Sequence, residues 1–225
     1  QAMRVIALFA RPVASGDDIE DISAVESNLV FLGLIGIMDP PRPEVKAAIE
    51  TCQSAGIKVK MITGDQAMTA AAIANELHID ASSAGGLDGA RLSAMSDEEL
   101  TELTGDVAIY SRVTPDQKMR IVSSLQEQGE IVAMTGDGVN DAPALSGANI
   151  GIAMGIAGTD VAKDAADMVL QDDNFANIVH AVEEGRKIYQ NIRNFVRYQV
   201  STNVAAVALL VLATVFFGPE ALPLT

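Results

Sequence analysis

Short apolar runs alternate with amphipathic segments along most of the chain. Apolar runs typical of buried strands occur at residues 30–37, 57–62, 107–110, 131–134, 150–153 and 168–170. Segments with the apolar spacing of helices lie at residues 44–55, 66–77, 97–103, 115–127 and 159–165. Strands that alternate with helices predict an α/β fold, in which helices cover both faces of a parallel sheet.

Residues that end and begin helices support this division. Gly56 and Gly129 directly follow two predicted helices, where a glycine commonly ends a helix. Thr114 and Pro115 have the order expected of an N-cap and a first helical residue. The small residues of 81–89 predict a loop.

The last part of the chain has a different pattern. Residues 195–217 contain no charge except Arg197, and as a helix they span about 35 Å, enough to cross a bilayer. A buried core helix is the alternative, because the unbroken apolar part covers only residues 204–217. Basic residues before this segment predict that its N-terminal side faces the cytoplasm: Arg186, Lys187, Arg193 and Arg197. A helix is predicted from about Asn174 into this segment.

Composition narrows the choice of partners. The net charge of −15 argues against a nucleic-acid-binding surface, which requires a basic patch. One cysteine, Cys52, excludes an internal disulfide and fits a reducing compartment. The chain begins without a signal peptide and enters a strand-like run at residues 5–9, which we interpret as a cut inside a longer chain.

Two predicted strands end in the same tripeptide. Thr63-Gly64-Asp65 follows one apolar run, and Thr135-Gly136-Asp137 follows another. Parallel strands bring their carboxyl ends to the same edge of a sheet, which is where ligands bind in open α/β folds. We therefore expect the two tripeptides to face one ligand.

The second tripeptide begins the most informative run of the chain. Residues 134–143 read Met-Thr-Gly-Asp-Gly-Val-Asn-Asp-Ala-Pro. Asp137 and Asp141 are hard oxygen ligands suited to Mg²⁺, and Asn140 can donate to a phosphoryl oxygen. Phosphoryl transfer also needs fixed positive charge, which Lys118 can supply, although a solvated helix lysine is the alternative interpretation. For Asp65 the alternative is helix capping.

Four segments together resemble the P-type cation-transporting ATPases. Residues 135–145 resemble the hinge motif of that family, and residues 61–65 resemble its second phosphate motif. Residues 39–42, Asp-Pro-Pro-Arg, are similar to the hinge between its phosphorylation and nucleotide-binding domains. Residues 112–118 are similar to the segment that carries its lysine.

The resemblance implies a domain organisation. The parallel sheet corresponds to a haloacid-dehalogenase-like, Rossmann-like phosphorylation domain. It implies the end of a nucleotide-binding domain at residues 1–27, a phosphorylation domain lacking its nucleophile strand at 28–185, and a stalk with the fifth transmembrane helix at 186–225.

The resemblance also assigns roles to residues, with ATP and Mg²⁺ as cofactors. It implies catalytic roles for Lys118, Thr63, Asp137, Asn140 and Asp141, with Asp137 and Asp141 holding Mg²⁺. It implies nucleotide contacts from Arg11, Thr63, Gly64, Asp65, Arg112, Lys118 and Asn140.

The chain departs from the family pattern in one respect that concerns activity. The family's nucleophilic aspartate lies in Asp-Lys-Thr-Gly-Thr, and these 225 residues contain no such motif. The isolated chain is therefore expected to be inactive, as a fragment of a membrane transporter whose other domains and lipid bilayer are its partners. A soluble phosphatase of the same superfamily and a non-catalytic module that binds a nucleotide or a partner remain alternatives.

A polar residue inside the membrane segment indicates the transported ion. Asn203 lies about 12 Å into the helix from Phe195, and it resembles a calcium-coordinating asparagine. Helix–helix hydrogen bonding is the alternative role. Ala206 stands where calcium pumps that bind two ions carry a glutamate, so the chain is more similar to single-site calcium pumps.

Overall fold

The elements follow the predicted alternation, and the computed structural model describes them for residues 3–13, 21–37, 40–79 and 85–218. The strands are β1 (Arg4–Ala10), β2 (Val30–Ile37), β3 (Met61–Ile62), β4 (Leu87–Asp88), β5 (Ile109–Ser111), β6 (Ala133–Gly136), β7 (Ile150–Met154) and β8 (Met168–Leu170). The helices are α1 (Ile22–Val25), α2 (Pro43–Ser54), α3 (Ala67–Glu76), α4 (Gly89–Ala94), α5 (Asp97–Thr104), α6 (Pro115–Glu127), α7 (Ala142–Gly147), α8 (Asp160–Ala165) and α9 (Ala176–Phe217). A 3-10 turn, Val139–Asp141, precedes α7. The chain forms two compact units, Gln1–Ala176 and Asn177–Thr225.

Six strands of the first unit form two separate parallel sheets. One has the order β3-β5-β4 and the other has the order β6-β7-β8. Met61 pairs with Ile109 in the first sheet, and Ala133 pairs with Ile150 in the second. The expected parallel arrangement with flanking helices is therefore confirmed. The single sheet is replaced by two, because no ladder of hydrogen bonds joins β3 to β6 within the described residues.

The strand at residues 30–37 was predicted correctly but was assigned to the wrong kind of pairing. β2 pairs antiparallel with β1, with Arg4 opposite Ile37 and Ala10 opposite Val30. A parallel pair needs a crossover connection, usually a full helix, whereas antiparallel strands accept a simpler connection. The connection here contains only the four-residue α1 among its described residues. These two strands form a hairpin apart from the parallel sheets.

Helix α6 packs against the cores of both parallel sheets. Ile121 and Leu125 of α6 belong to one apolar cluster with Tyr110 of β5. Val122 of α6 belongs to another cluster with Met134 of β6. Partly buried Ile62 of β3 packs against both clusters, so β3 and β6 share the support of the same helix.

Helix ends are close to their predicted positions. Gly56 and Gly129 lie just beyond the ends of α2 and α6 with φ of +76° and +82°, the left-handed backbone that ends many helices. Helix α6 begins at Pro115 after the N-cap Thr114, as predicted.

The predicted loop at residues 81–89 is wrong at its C-terminal end, while residues 81–84 lie outside the described residues. Leu87 and Asp88 form β4 by pairing with β5, and α4 begins at Gly89. The Asp88 side chain caps this helix by accepting from the Arg91 N–H at 2.8 Å. A two-residue strand gains its geometry from its neighbour, so a local pattern of small residues did not reveal it.

Helix α9 runs through the predicted membrane segment. It has 42 residues, which corresponds to about 63 Å. Among the described residues, α9 is the helix that is long and apolar enough to cross a membrane, with a mean hydropathy of 2.2 in its most apolar window. Its length leaves room for both a stalk and a span of about 30 Å.

Candidate active site

A buried ion pair lies at the carboxyl end of β6. Lys118 is in the first turn of α6, and Asp141 ends the 3-10 turn that follows β6. The Lys118 ammonium donates to Oδ1 of Asp141. Their side chains are 15% and 9% exposed, so the pair is largely removed from solvent. Lys118 is thus a fixed charge at the strand end rather than a solvated helix lysine.

The other oxygen of Asp141 organises the loop that precedes it. Oδ2 accepts from the backbone N–H of Asp137 at 3.3 Å and of Gly138 at 3.1 Å. Gly136 leaves the space that this arrangement needs, because a Cβ there would lie 2.5 Å from Cβ of Asp141. Asp141 therefore holds both the lysine and the loop, and both its oxygens are engaged.

Asp137 and Asn140 instead face solvent. The Asp137 carboxylate is exposed and forms no hydrogen bond or ion pair with the described part of the chain. Its backbone carbonyl accepts from the Thr159 N–H at 2.8 Å, which fixes the main chain beside it. The Asn140 side chain is exposed on the 3-10 turn.

These residues fit Mg²⁺ in a limited way. Within residues 3–13, 21–37, 40–79 and 85–218, there is no group of three or more His, Cys, Asp or Glu side chains placed to hold a metal. Mg²⁺ commonly takes one or two carboxylates and fills its shell with water and phosphate oxygens. Asp137 offers a free carboxylate of that kind, whereas Asp141 is already bound to Lys118.

The first Thr-Gly-Asp tripeptide forms a closed turn after β3. The Thr63 hydroxyl donates to Oδ2 of Asp65 at 3.1 Å and accepts from the Asp65 N–H at 3.1 Å. The Asp65 carbonyl accepts from the Arg112 N–H at 3.0 Å, and the Thr63 carbonyl accepts from the Val113 N–H at 3.2 Å. Gly64 and Asp65 are exposed. This turn and the turn after β5 are therefore joined through their backbones.

Arg112 lies in a left-handed conformation in that second turn. Its φ is +50°, which is uncommon for a residue with a side chain, and its side chain is exposed. A strained backbone at a strand end is typical of functional sites.

The two remaining predicted residues lie elsewhere. Arg11 is half-buried and directly follows β1 of the hairpin. Asn203 is exposed on α9, in the second unit. Their contacts with a nucleotide and with a transported ion stay predictions.

One buried carboxylate beside the site was not anticipated. Asp173 is 6% exposed, and it accepts from the Ile156 N–H at 2.9 Å and the Ala157 N–H at 2.8 Å. The Ile156 hydrogen bond is the largest cause that holds the pKa of Asp173 below its ordinary value, and Arg42 adds to this effect. Arg42 also donates to the Asp173 carbonyl at 2.9 Å, so Arg42, the N-cap residue of α2, is tied to the turn after β8. In sequence, Asp172-Asp173 has the pattern of a solvated acidic loop and carries no sign of burial.

Comparison with known families agrees with this architecture. A sequence profile described as haloacid dehalogenase-like hydrolase matches residues 8–149, and a second profile with the same description matches residues 117–182. The chain belongs to the haloacid dehalogenase-like hydrolases. The haloacid dehalogenase-like fold that the family resemblance implied is thereby confirmed.

Individual relatives are transport ATPases. The chain is 50% identical over 219 residues to a "Calcium-transporting ATPase" of Bacillus subtilis, which covers 97% of the chain and 24% of that protein. It is 48% identical over 220 residues to the human "Calcium-transporting ATPase type 2C member 1", and the match covers 98% of the chain and 23% of that protein. It is 50% identical over 204 residues to a "Cation-transporting ATPase pma1" of Synechocystis, and the match covers 90% of the chain and 22% of that protein. These relatives confirm the resemblance to P-type ATPases, and the chain spans about a quarter of their length.

Proposed function

We propose that the chain is part of an ATP-driven cation transporter, with Ca²⁺ as the transported ion. The observation that carries the proposal is the strand-end arrangement of Asp137, Lys118 and Asp141. Asp141 binds the backbone N–H of Asp137 through one oxygen and the buried Lys118 ammonium through the other, so it links the exposed Asp137 to a fixed ammonium. Phosphoryl transfer uses positioned groups of these kinds. The names of the relatives support this function over a soluble phosphatase.

Each residue of the site has a proposed role. Asp137 would hold Mg²⁺, and the ion would supply positive charge to the phosphate oxygens. Lys118 supplies a second positive charge, and Asp141 keeps the ammonium in place. Asn140 is free to donate its amide to a phosphoryl oxygen. The Thr63 hydroxyl can do the same only after it turns away from Asp65.

We further propose that the phosphorylated aspartate lies on a strand outside these 225 residues. Among the described strands, β3 and β6 each lie at an edge of their sheet, and both are supported by α6. A strand between them would satisfy both edges and present its carboxyl end beside Thr63 and Asp137. This arrangement would explain why the parallel strands form two sheets.

The pairing of β2 with β1 also bears on the proposed domains. Because β2 belongs to a hairpin with β1, we place the end of the nucleotide-binding domain after β2 rather than at residue 27. The phosphorylation domain would then begin near Pro40. Helix α9 would carry the stalk and the membrane span, with Asn203 as a ligand of the ion.

The experiment that tests the function uses labelled ATP. The purified 225-residue chain with Mg²⁺ and ATP is expected to gain no acid-stable label. The longer transporter that contains it is expected to gain a hydroxylamine-sensitive label that depends on Ca²⁺. Hydroxylamine-sensitive label on the isolated chain would show that the nucleophile lies within it and would contradict the proposal.

Replacement of Asn203 tests the ion. In the longer transporter, Asn203→Ala should weaken ion-dependent phosphorylation while ATP binding survives. Unchanged transport by this variant would mean that Asn203 is a packing residue of the membrane segment.

A further inference from the structure

We propose that Gln117 is a positioning residue, which sets the place of Lys118 and of the Thr63–Asp65 turn together. This inference rests on the proposed phosphoryl-transfer function. Gln117 lies next to Lys118 in α6 but touches neither phosphate nor metal in the proposed mechanism. It acts through the backbone that carries the reacting groups.

The Gln117 amide is buried and almost fully hydrogen-bonded. Gln117 is 6% exposed. Its Oε1 accepts from the Thr114 N–H at 3.0 Å, and its Nε2 donates to the Gly89 carbonyl at 2.7 Å and to the Ser93 hydroxyl at 2.8 Å. Three hydrogen bonds from one buried amide fix its orientation, since leaving any partner unpaired would be costly.

The amide oxygen holds the turn between β5 and α6. Thr114 is the last residue of this turn, and its N–H is bound by Gln117. The preceding N–H groups, of Arg112 and Val113, donate to the carbonyls of Asp65 and Thr63. Gln117 is thus linked through one short turn to the first Thr-Gly-Asp tripeptide.

The amide nitrogen fixes the start of α6 to α4. Gly89 is the first residue of α4, and a Cβ at that position would lie 2.1 Å from the Arg112 carbonyl, so α4 also contacts the turn closely. The other end of α4 is bound by Arg120, which donates to the carbonyls of Leu92 at 2.8 Å and Met95 at 2.9 Å. Helix α4 is therefore a firm support for Gln117.

Another side of α6 leads to the ion pair. Successive residues of an α-helix point about 100° apart, so Gln117 and Lys118 leave α6 in different directions. Lys118 reaches Asp141, and Gln117 reaches α4 and the turn. A shift of the first turn of α6 would therefore displace the ammonium and the Thr63 turn at once. A misplacement of about 1 Å in a reacting group can cost about 100-fold in rate.

The test replaces Gln117 by methionine, which has a similar shape without the amide. Gln117→Met in the longer transporter should slow phosphorylation at saturating ATP by about tenfold or more. The matched control is Gln126→Met on the same helix. Gln126 donates to the Gly147 carbonyl at 3.0 Å, away from the turn, and its replacement should change the phosphorylation rate less than about twofold.

Hydrogen exchange on the same purified protein separates the positioning role from the proposed function. In Gln117→Met the amides of Arg112 and Val113 should exchange faster, and in Gln126→Met they should not. This reading needs no activity, so it remains informative even if the wild-type transporter forms no phosphoenzyme. Should Gln117→Met fail to accumulate, Gln117→Asn, one methylene shorter, takes its place and should show the same pattern.

Three results would overturn the proposal. The first is a phosphorylation rate in Gln117→Met within twofold of the wild type. The second is an equal loss in both methionine variants, which would indicate a general weakening of α6. The third is unchanged exchange of the Arg112 and Val113 amides.

Discussion

The same tripeptide, Thr-Gly-Asp, ends two strands and is held in two different ways. After β3, Thr63 and Asp65 form hydrogen bonds with one another. Apart from the chain neighbours of Gly64, no described residue has an atom within 4 Å of the place where its Cβ would stand. After β6, the Asp137 carboxylate forms no hydrogen bond or ion pair with the residues that the structure describes, and Gly136 is packed against Asp141.

The difference arises from a residue outside the tripeptides. Asp141, four residues beyond Asp137, binds the backbone of the second turn, and the first turn shows no equivalent carboxylate contact among the described residues. The first turn closes with its own side chains, so the Asp65 carboxylate accepts from the Thr63 hydroxyl beside it. The second turn is closed from outside, so its aspartate is left available for a ligand.

The largest effect is expected from removing the carboxylate of Asp141, which holds the second turn. Asp141→Ala leaves the buried Lys118 ammonium and two backbone N–H groups without their partner, so the free energy of unfolding should fall by about 3 to 5 kcal/mol. Asp65→Ala should cost less than about 1 kcal/mol, because that carboxylate is exposed. Urea unfolding of the two variants measures the contrast. Similar losses in both would mean that the two turns depend equally on their carboxylates.

The glycines give the next largest contrast. Gly136→Ala places a Cβ against Asp141 and should destabilise the fold by about 1 to 3 kcal/mol. Gly64→Ala has open space and should change the unfolding free energy by less than about 0.5 kcal/mol. Thermal unfolding of the two variants compares them directly. A tolerated alanine at position 136 would contradict the close packing of Asp141.

A smaller loss is expected at Asp173, which supports the turn next to the second tripeptide. Its pKa is held below the ordinary value of 3.8 by the Ile156 hydrogen bond, so the ionised form stabilises the fold above that pH. Asp173→Asn should therefore be less stable than the wild type at pH 7. The difference should shrink as the pH falls below about 4 and through the folded pKa. Unfolding at a series of pH values measures it, and a difference independent of pH would exclude the ionised carboxylate as its cause.

The smallest effect on stability is expected at Asp137, whose replacement should instead raise the Mg²⁺ concentration that phosphorylation requires. Asp137→Asn should alter the unfolding free energy by less than about 0.5 kcal/mol. The carboxylate is exposed and forms no hydrogen bond or ion pair with the described residues. In the longer transporter, Asp137→Asn should raise the Mg²⁺ concentration for half-maximal phosphorylation by about tenfold or more. Mutating even the residues that hydrogen-bond to metal ligands lowers metal affinity by about tenfold or more. Asp65→Asn is the control and should leave the Mg²⁺ requirement unchanged. An equal rise in both variants would remove the distinction between the two aspartates.

The sequence predicted the strand ends well because strand and helix signals here are local. Apolar runs placed β7 and β8, and Thr114-Pro115 placed the start of α6 at the residue where it occurs. The pattern Thr-x-x-Gln at residues 114–117 also contained a capping box, in which the glutamine reaches back to the N-cap backbone. That signal identifies the contact of Gln117 with Thr114, and only the fold reveals its contacts with α4.

Other features depend on residues far apart in the chain and have no local signature. The burial of Asp173 follows from the N–H groups of Ile156 and Ala157, which arrive from the turn after β7. β4 requires β5 beside it, and the antiparallel pairing of β2 requires β1. The apolar run at residues 30–37 predicts a strand, but it does not identify which strand pairs with it.

The open edges of β3 and β6 have a consequence for handling the chain in the laboratory. β3 and β6 each present backbone N–H and C=O groups on one side without a strand partner among the described residues. Such edges are templates for a strand from another molecule, so the 225-residue chain alone should self-associate at high concentration. For the same reason, a strand supplied as a separate peptide should pair with the open edges of β3 and β6 and restore solubility, as in a split protein.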